Sequence, residues 1–116
     1  MQKFFRSFRF ASEGIIHAFK SELNFKLHVA AAIIVVVAGV LTGLSMAEWF
    51  IVMILIGGML ALEMLNSAIE RAIDVITTEH HPLAKQAKDL AAGAVFVFAI
   101  TSAMIGLFIF IPKWFI

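Results

Sequence analysis

Three long apolar runs decide what this chain can fold into. Val29–Leu44 is almost wholly apolar, Ala47–Leu62 carries a single charge, Glu48, at its edge, and Leu90–Ile111 carries none. With its flanks, each run reaches the roughly 20 residues a helix needs to cross about 30 Å of hydrocarbon. The hydrophobic share of the chain is 62%, against roughly 45–50% in soluble domains. That excess is concentrated in the runs and does not alternate. The first run starts well inside the chain and no small-x-small cleavage site ends it, so a retained anchor is expected and not a signal peptide.

The expected fold is an all-α integral membrane protein with one domain over residues 1–116. It combines an N-terminal interfacial amphipathic helix (1–25) with three transmembrane helices at 27–44, 47–76 and 83–111. The absence of cysteine leaves no disulfide framework and no thiolate metal site. A net charge of +1 gives no footing for a nucleic-acid partner.

Basic residues set the orientation. Lys3, Arg6, Arg9, Lys20 and Lys26 precede the first span, and Arg71, Lys85 and Lys88 lie between the second and third. The Gly43–Glu48 turn has no basic residue, and the far end has only Lys113. By the positive-inside rule the N-terminus and the second connection are cytoplasmic and the C-terminus is outside. Trp49 and Trp114 then fit the outer aromatic belt.

Before the first span, Phe4, Phe8, Ile15, Phe19 and Leu23 cluster within about 100° of a helical wheel. Lys3, Arg6, Glu13, His17 and Lys20 lie opposite. A cationic, phenylalanine-rich helix of this kind lies in the headgroup plane. Glu22 breaks the pattern, because a continuous helix would project it with Phe8 and Ile15. Either that carboxylate finds a cation or metal as partner, or the helix bends near Ser21 and frees it to water.

The second apolar run continues into an acidic stripe. Glu63, Asn66, Glu70 and Asp74 fall within about 80° of one another on a helix, while Leu65, Ile69 and Ile73 occupy another side. An Asp at the bilayer centre costs roughly 2.5–3.5 kcal/mol, so a chain that keeps such a stripe has a use for it. Ala47 to Glu63 spans about 24 Å of helix at 1.5 Å per residue. Glu63 is thus expected inside the hydrocarbon near its cytoplasmic boundary, with Glu70 and Asp74 emerging into the interface. Lys88 and Asp89, just before the third span, and Glu22, just before the first, belong at the same level.

Acidic oxygens on one face suit Mg²⁺, which bridges one or two carboxylates to substrate phosphates. A nearby lysine neutralises phosphate charge, and a carboxylate in low dielectric has the raised proton affinity a general base needs. Phosphoryl transfer is mostly positioning and charge stabilisation, so this inventory suffices in type. Neither a Walker A sequence nor a protein-kinase glycine-rich loop occurs.

Glu63 to Glu70, read as E-x-L-N-S-A-I-E, with Asp74 and Ala87-Lys88-Asp89 downstream, resembles the prokaryotic membrane diacylglycerol kinase family, which includes the undecaprenol kinases. The resemblance covers nearly the whole chain. It implies that Glu63 is the general base toward a lipid hydroxyl and that Glu22 and Glu70 hold Mg²⁺ on ATP. It further implies that Asn66, Asp74, Lys88 and Asp89 complete the nucleotide and phosphate site, in a homotrimer whose active sites combine neighbouring subunits. The small run Ala91-Ala92-Gly93-Ala94 allows close helix approach, within a subunit or between subunits.

Two stretches resemble the undecaprenol branch more closely: Glu22-Leu23-Asn24-Phe25-Lys26-Leu27-His28, and the connection His81–Asp89. His28 stands where the Gram-negative diacylglycerol kinases carry a second carboxylate. The favoured acceptor is therefore undecaprenol, with diacylglycerol as the alternative. A non-enzymatic membrane subunit is the rival from another class. A proton path would place carboxylates near mid-membrane, and a scaffold has no need of Glu63, Asn66 and Glu70 in step. Glu79-His80-His81 reads as a solvated connection in preference to a metal site, and His17 and His28 read as interfacial.

Overall fold

The computed structural model describes every residue from Met1 to Ile116 and contains four helices. They are α1 (Gln2–Ser21), α2 (Leu23–Thr42), α3 (Met46–Ile76) and α4 (Pro82–Phe115). The last three are long and apolar enough to cross a membrane. At 1.5 Å per residue α3 and α4 are each about 46–51 Å long, well beyond the hydrocarbon thickness. Their polar ends therefore have room to stand clear of the apolar layer.

Each boundary has a local cause. The first helix stops at Ser21, short of the expected residue 25, because Glu22 adopts an extended conformation (φ −109°, ψ 110°). The bend near Ser21 is thus the alternative that the backbone takes. Glu22 is at once the end of α1 and the residue that starts α2. The second helix ends at Thr42, two residues before 44, where Gly43 turns left-handed at φ 83°, a conformation glycine adopts without a Cβ penalty. Two residues later, Ser45 starts α3 with a reciprocal capping box: its side chain accepts from the Glu48 amide, and Glu48 Oε1 accepts from the Ser45 amide. His81 Nδ1 accepts from the Leu83 amide at the start of α4, with Pro82 in the first turn.

α3 is the central element. It runs antiparallel to α4, as three contacts along their length record. Lys113 Nζ meets Glu48 Oε1 at 3.0 Å, Phe98 closes on Gly58, and Lys88 Nζ meets Asp74 Oδ1 at 2.6 Å. A Cβ at Gly58 would lie 2.6 Å from the Phe98 ring, so glycine is what lets the two helices approach there. α2 also packs antiparallel on α3 and touches α4 only sparsely. The three spans join most tightly at one end, around buried Val52, Ile109 and Phe110 with Val35, Ala38, Leu44 and Trp49 against them. Trp114 Nε1 donates to Thr42 Oγ1 at 2.8 Å at that same end.

Only 9 of 116 residues are buried, and large apolar side chains such as Ile34, Val40, Met53 and Ile54 remain mostly exposed. In water such a surface would be untenable. Against lipid tails it is the ordinary state, because apolar burial gains nothing there and helices associate through packing and polar contacts.

Candidate functional site

The charged end of the molecule lies opposite the Val52–Phe110 core. There α3 carries Glu63, Asn66, Glu70 and Asp74 on one face, as helical spacing requires. Glu63 is the only charged residue among the buried ones, at 4% exposure, and Ser67 one turn on is buried with it. A charge buried this far needs a partner. Its partner is His28 on α2, whose Nε2 lies 3.4 Å from Glu63 Oε2. The interfacial reading of His28 gains a partner it did not name, Glu63. Phe25, buried, and His28 lie on the α2 face turned to α3.

His28 also lines an apolar groove of about 500 Å³ between α2, α3 and α4. Fourteen of its seventeen lining residues are hydrophobic, and His28 is its one ionisable residue. Val52, Leu55, Ile56 and Met59 form the α3 wall, and Ala99, Ala103, Gly106 and Leu107 belong to the α4 wall. At the far end Trp114 and Phe110 close it. The groove exists because α2 and α4 both pack on α3 yet barely touch one another. It thus leads from apolar surroundings to the His28–Glu63 pair.

Beyond Glu63 the stripe turns outward. Asn66 is half-buried, and its Oδ1 is enclosed without a hydrogen-bond partner. Glu70 is exposed and joins no ion pair. Asp74 is held by Lys88, and Asp89 by Lys85 at 2.6 Å. Lys85, Lys88 and Asp89 line a second, polar pocket of about 420 Å³, together with Thr77, Thr78, Glu79, His80 and His81 of the α3–α4 connection. The sequence had singled out Lys88 and Asp89 but not the threonines beside them.

Glu22 arrives from a different side. Its carboxylate accepts from the Arg71 guanidinium, which also reaches Ser21 Oγ at 3.4 Å. Arg71 follows Glu70 by one residue, so it projects about 100° further round α3. The α1–α2 bend therefore docks beside the acidic stripe and not on it. No three carboxylates or imidazoles converge within the chain to form a ready-made cation cage. Arg71 is a functional candidate the sequence reading passed over. Its signal was a lone arginine flanking the stripe at the level of Glu22.

Chemically the arrangement offers an apolar channel for a lipid tail, a buried carboxylate against the one histidine of its wall, and a polar pocket with two lysines. The α3 face from Glu63 to Asp74, about 16 Å of helix, joins the two. The family model for prokaryotic diacylglycerol kinase matches residues 9–110. The undecaprenol kinase of Bacillus subtilis (strain 168) is 55% identical over 113 residues, covering 97% of this chain and 92% of that protein. A diacylglycerol kinase of Synechocystis sp. is 35% identical over 107 residues, which are 91% of this chain and 61% of that longer protein. A diacylglycerol kinase of Helicobacter pylori (strain J99) is 31% identical over 104 residues, 90% of this chain and 81% of that protein.

Proposed function

The chain belongs to the prokaryotic diacylglycerol kinase family, and from that premise we propose that it transfers the γ-phosphoryl group of ATP to undecaprenol. As a member it is a phosphotransferase with a lipid alcohol as acceptor. The observation that carries the reading is Glu63, a buried carboxylate in contact with His28 of the apolar groove wall and on the helix that continues to the lysine-lined pocket.

The lipid enters from the bilayer with its tail in the groove and its hydroxyl at Glu63. Glu63 takes the hydroxyl proton as the oxygen attacks the γ-phosphorus, and ADP leaves on the opposite side. Lys88 and Lys85 give up their carboxylates to the phosphates, and Asn66 Oδ1, enclosed and unpartnered, has a free acceptor for a substrate or water proton. Asp74 and Asp89, released from the lysines, complete the nucleotide and phosphate site.

The donor set fits Mg²⁺ carried in on ATP. Glu70 is a hard oxygen donor outside any ion pair, and Glu22 is held by the next residue, Arg71, in a pair that a divalent cation can displace. When bound there, Mg²⁺ neutralises the charge developing on the phosphates. The missing third donor within one chain supports a site completed by phosphate oxygens, and a homotrimer in which neighbouring subunits share active sites. The wide exposed apolar surfaces of α2–α4 leave room for such neighbours.

In the cell membrane we place the N-terminus and the α3–α4 connection in the cytoplasm and the C-terminus outside, as the basic residues direct. The unpaired phenylalanine face of α1, with Phe4 and Phe8 stacked edge-on at 4.9 Å, suits a helix resting in the headgroup layer. The acceptor is named from the 55% identity to an undecaprenol kinase, and an open, single groove suits one long isoprenoid chain.

Purified full-length protein in detergent, given labelled ATP, Mg²⁺ and equal amounts of undecaprenol and diacylglycerol, tests the reading. Labelled undecaprenyl phosphate in excess is the expected product. Preferential labelling of diacylglycerol reassigns the acceptor, and labelling of neither lipid overturns the kinase reading for this chain.

A further inference from the structure

Each turnover, on the reading above, leaves a proton on Glu63. That carboxylate side chain is 5% exposed and has one ionisable neighbour within 4 Å, His28. The imidazole is 28% exposed, so it stands between the buried carboxylate and more open surroundings. Of the other titratable groups at this level, α2 carries Glu22 and Lys26, α3 carries Glu70 and Arg71, and α1 carries His17 and Lys20. Glu22 and Arg71 are engaged with each other. α4 contributes no titratable residue between Asp89 and Lys113. No other basic side chain of the chain lies within 4 Å of the Glu63 carboxylate.

We propose that His28 is the positioning residue for Glu63 and the acceptor that discharges it. The inference rests on Glu63 being the base of the reaction. In the chemical step the lipid oxygen forms a bond to the γ-phosphorus and the bond from that phosphorus to the β–γ bridging oxygen breaks. The bridging electrons leave with ADP, and the hydroxyl proton goes to a Glu63 carboxylate oxygen. His28 Nε2 then takes that proton from Glu63 and releases it to water at the membrane boundary. The imidazole must enter the cycle neutral, with its proton on Nδ1, so that Nε2 presents a lone pair. Between turnovers the imidazole stays 3.4 Å from Glu63 Oε2, in place for the next transfer. His28 does this from the groove wall, so the lipid hydroxyl arrives beside the pair and not at a distance from it.

The test uses full-length protein with undecaprenol, ATP and Mg²⁺, and reads kcat and KM between pH 5 and 9. Wild-type kcat is expected to rise with pH across the range in which histidine loses its proton. His28→Gln, which keeps a polar group but cannot carry the proton, is expected to lose about 10²-fold in kcat. Its KM for ATP should stay within about twofold and the histidine-range rise should vanish. His28→Ala should recover part of the lost rate when free imidazole is added. A purely structural role would move neither the pH profile nor the imidazole response.

Three results overturn the proposal: a wild-type kcat with no ionisation between pH 5 and 8, a His28→Gln enzyme with the wild-type profile, or no imidazole rescue. The first needs no variant to fold. Glu63→Gln separates the two levels of inference. If it stays active, the base assignment itself has failed, whereas an inactive Glu63→Gln beside a normal His28→Gln removes only the role of His28.

Discussion

Replacing Glu63 should raise stability or leave it unchanged while abolishing activity, and the two effects can be sized separately. Loss of a general base costs about 10²–10⁴-fold in rate, or about 2.7–5.5 kcal/mol of transition-state stabilisation at 1.36 kcal/mol per decade. Glutamine has nearly the same shape as glutamate, so Glu63→Gln should retain the groove and the nucleotide pocket. Its KM values should then stay close to wild type. The stability side follows from position. A charge at the bilayer centre costs roughly 2.5–3.5 kcal/mol, and the place expected for Glu63, near the boundary, makes its cost a fraction of that.

Removing one member of a buried ion pair ordinarily destabilises by about 3–5 kcal/mol, because the other charge is stranded. His28 escapes that fate, being 28% exposed and so not stranded in a buried site. The expected sign is therefore stabilising or neutral for Glu63→Gln, and the same for Glu63→Leu. Turnover of labelled ATP onto undecaprenol and the unfolding midpoint in a graded detergent–denaturant series measure the two quantities on one preparation. A Glu63→Gln protein with a tenth or more of wild-type kcat would falsify the base role. A destabilisation above about 1 kcal/mol would instead make the buried carboxylate a structural element.

Two further substitutions separate the two substrates. Lys88→Met removes the ammonium that meets Asp74 at 2.6 Å. Losing one charge-assisted contact worth about 1.5–3 kcal/mol should raise the KM for ATP roughly ten- to hundredfold and leave the lipid KM alone; an unaltered ATP KM removes Lys88 from the phosphate site. Gly106→Phe projects a ring into the groove, where a Cβ meets nothing within 4 Å. A lipid tail moves there from one apolar medium to another, so only packing is lost. The lipid KM should rise about threefold or more with the ATP KM unchanged, and an unchanged lipid KM places the tail elsewhere.

The helices and the acidic stripe were legible because both are one-dimensional patterns. Run length gives the spans, and a 100° step gives the face shared by Glu63, Asn66, Glu70 and Asp74. Antiparallel packing of α4 on α3 then brings Lys88 to Asp74 at the common level the sequence implied. The backbone at Glu22 was open between a continuous helix and a bend, because nothing local forbids either; the α1–α2 junction resolves it with Glu22 turned to Arg71. The contact of His28 with Glu63 was not legible, for a physical reason. α2 beyond His28 is apolar almost all round, so its wheel has no polar side to say which way His28 turns. That choice is made by packing between helices, and so is the groove, which depends on α2 and α4 diverging from a shared contact.

A lipid kinase must bring together a substrate that cannot leave the membrane and one that cannot enter it. α3 meets that demand with length. Its thirty-one residues begin at a capped start beside the Val52–Phe110 core and run on, without a break, for longer than the hydrocarbon is thick. Val52, Leu55, Ile56 and Met59 can therefore wall a groove, while Ile73 and Thr77, five turns on, wall the polar pocket. Glu63 lies between them on the same rigid rod. The position of its carboxylate relative to both substrates is then fixed by helix geometry, 1.5 Å and 100° per residue, and not by a loop. A break in α3, or a shift of its Ser45–Glu48 start by one residue, would turn the whole stripe away from the groove head. The long uninterrupted apolar run and the acidic stripe that continues it are consequently one requirement, met by one helix.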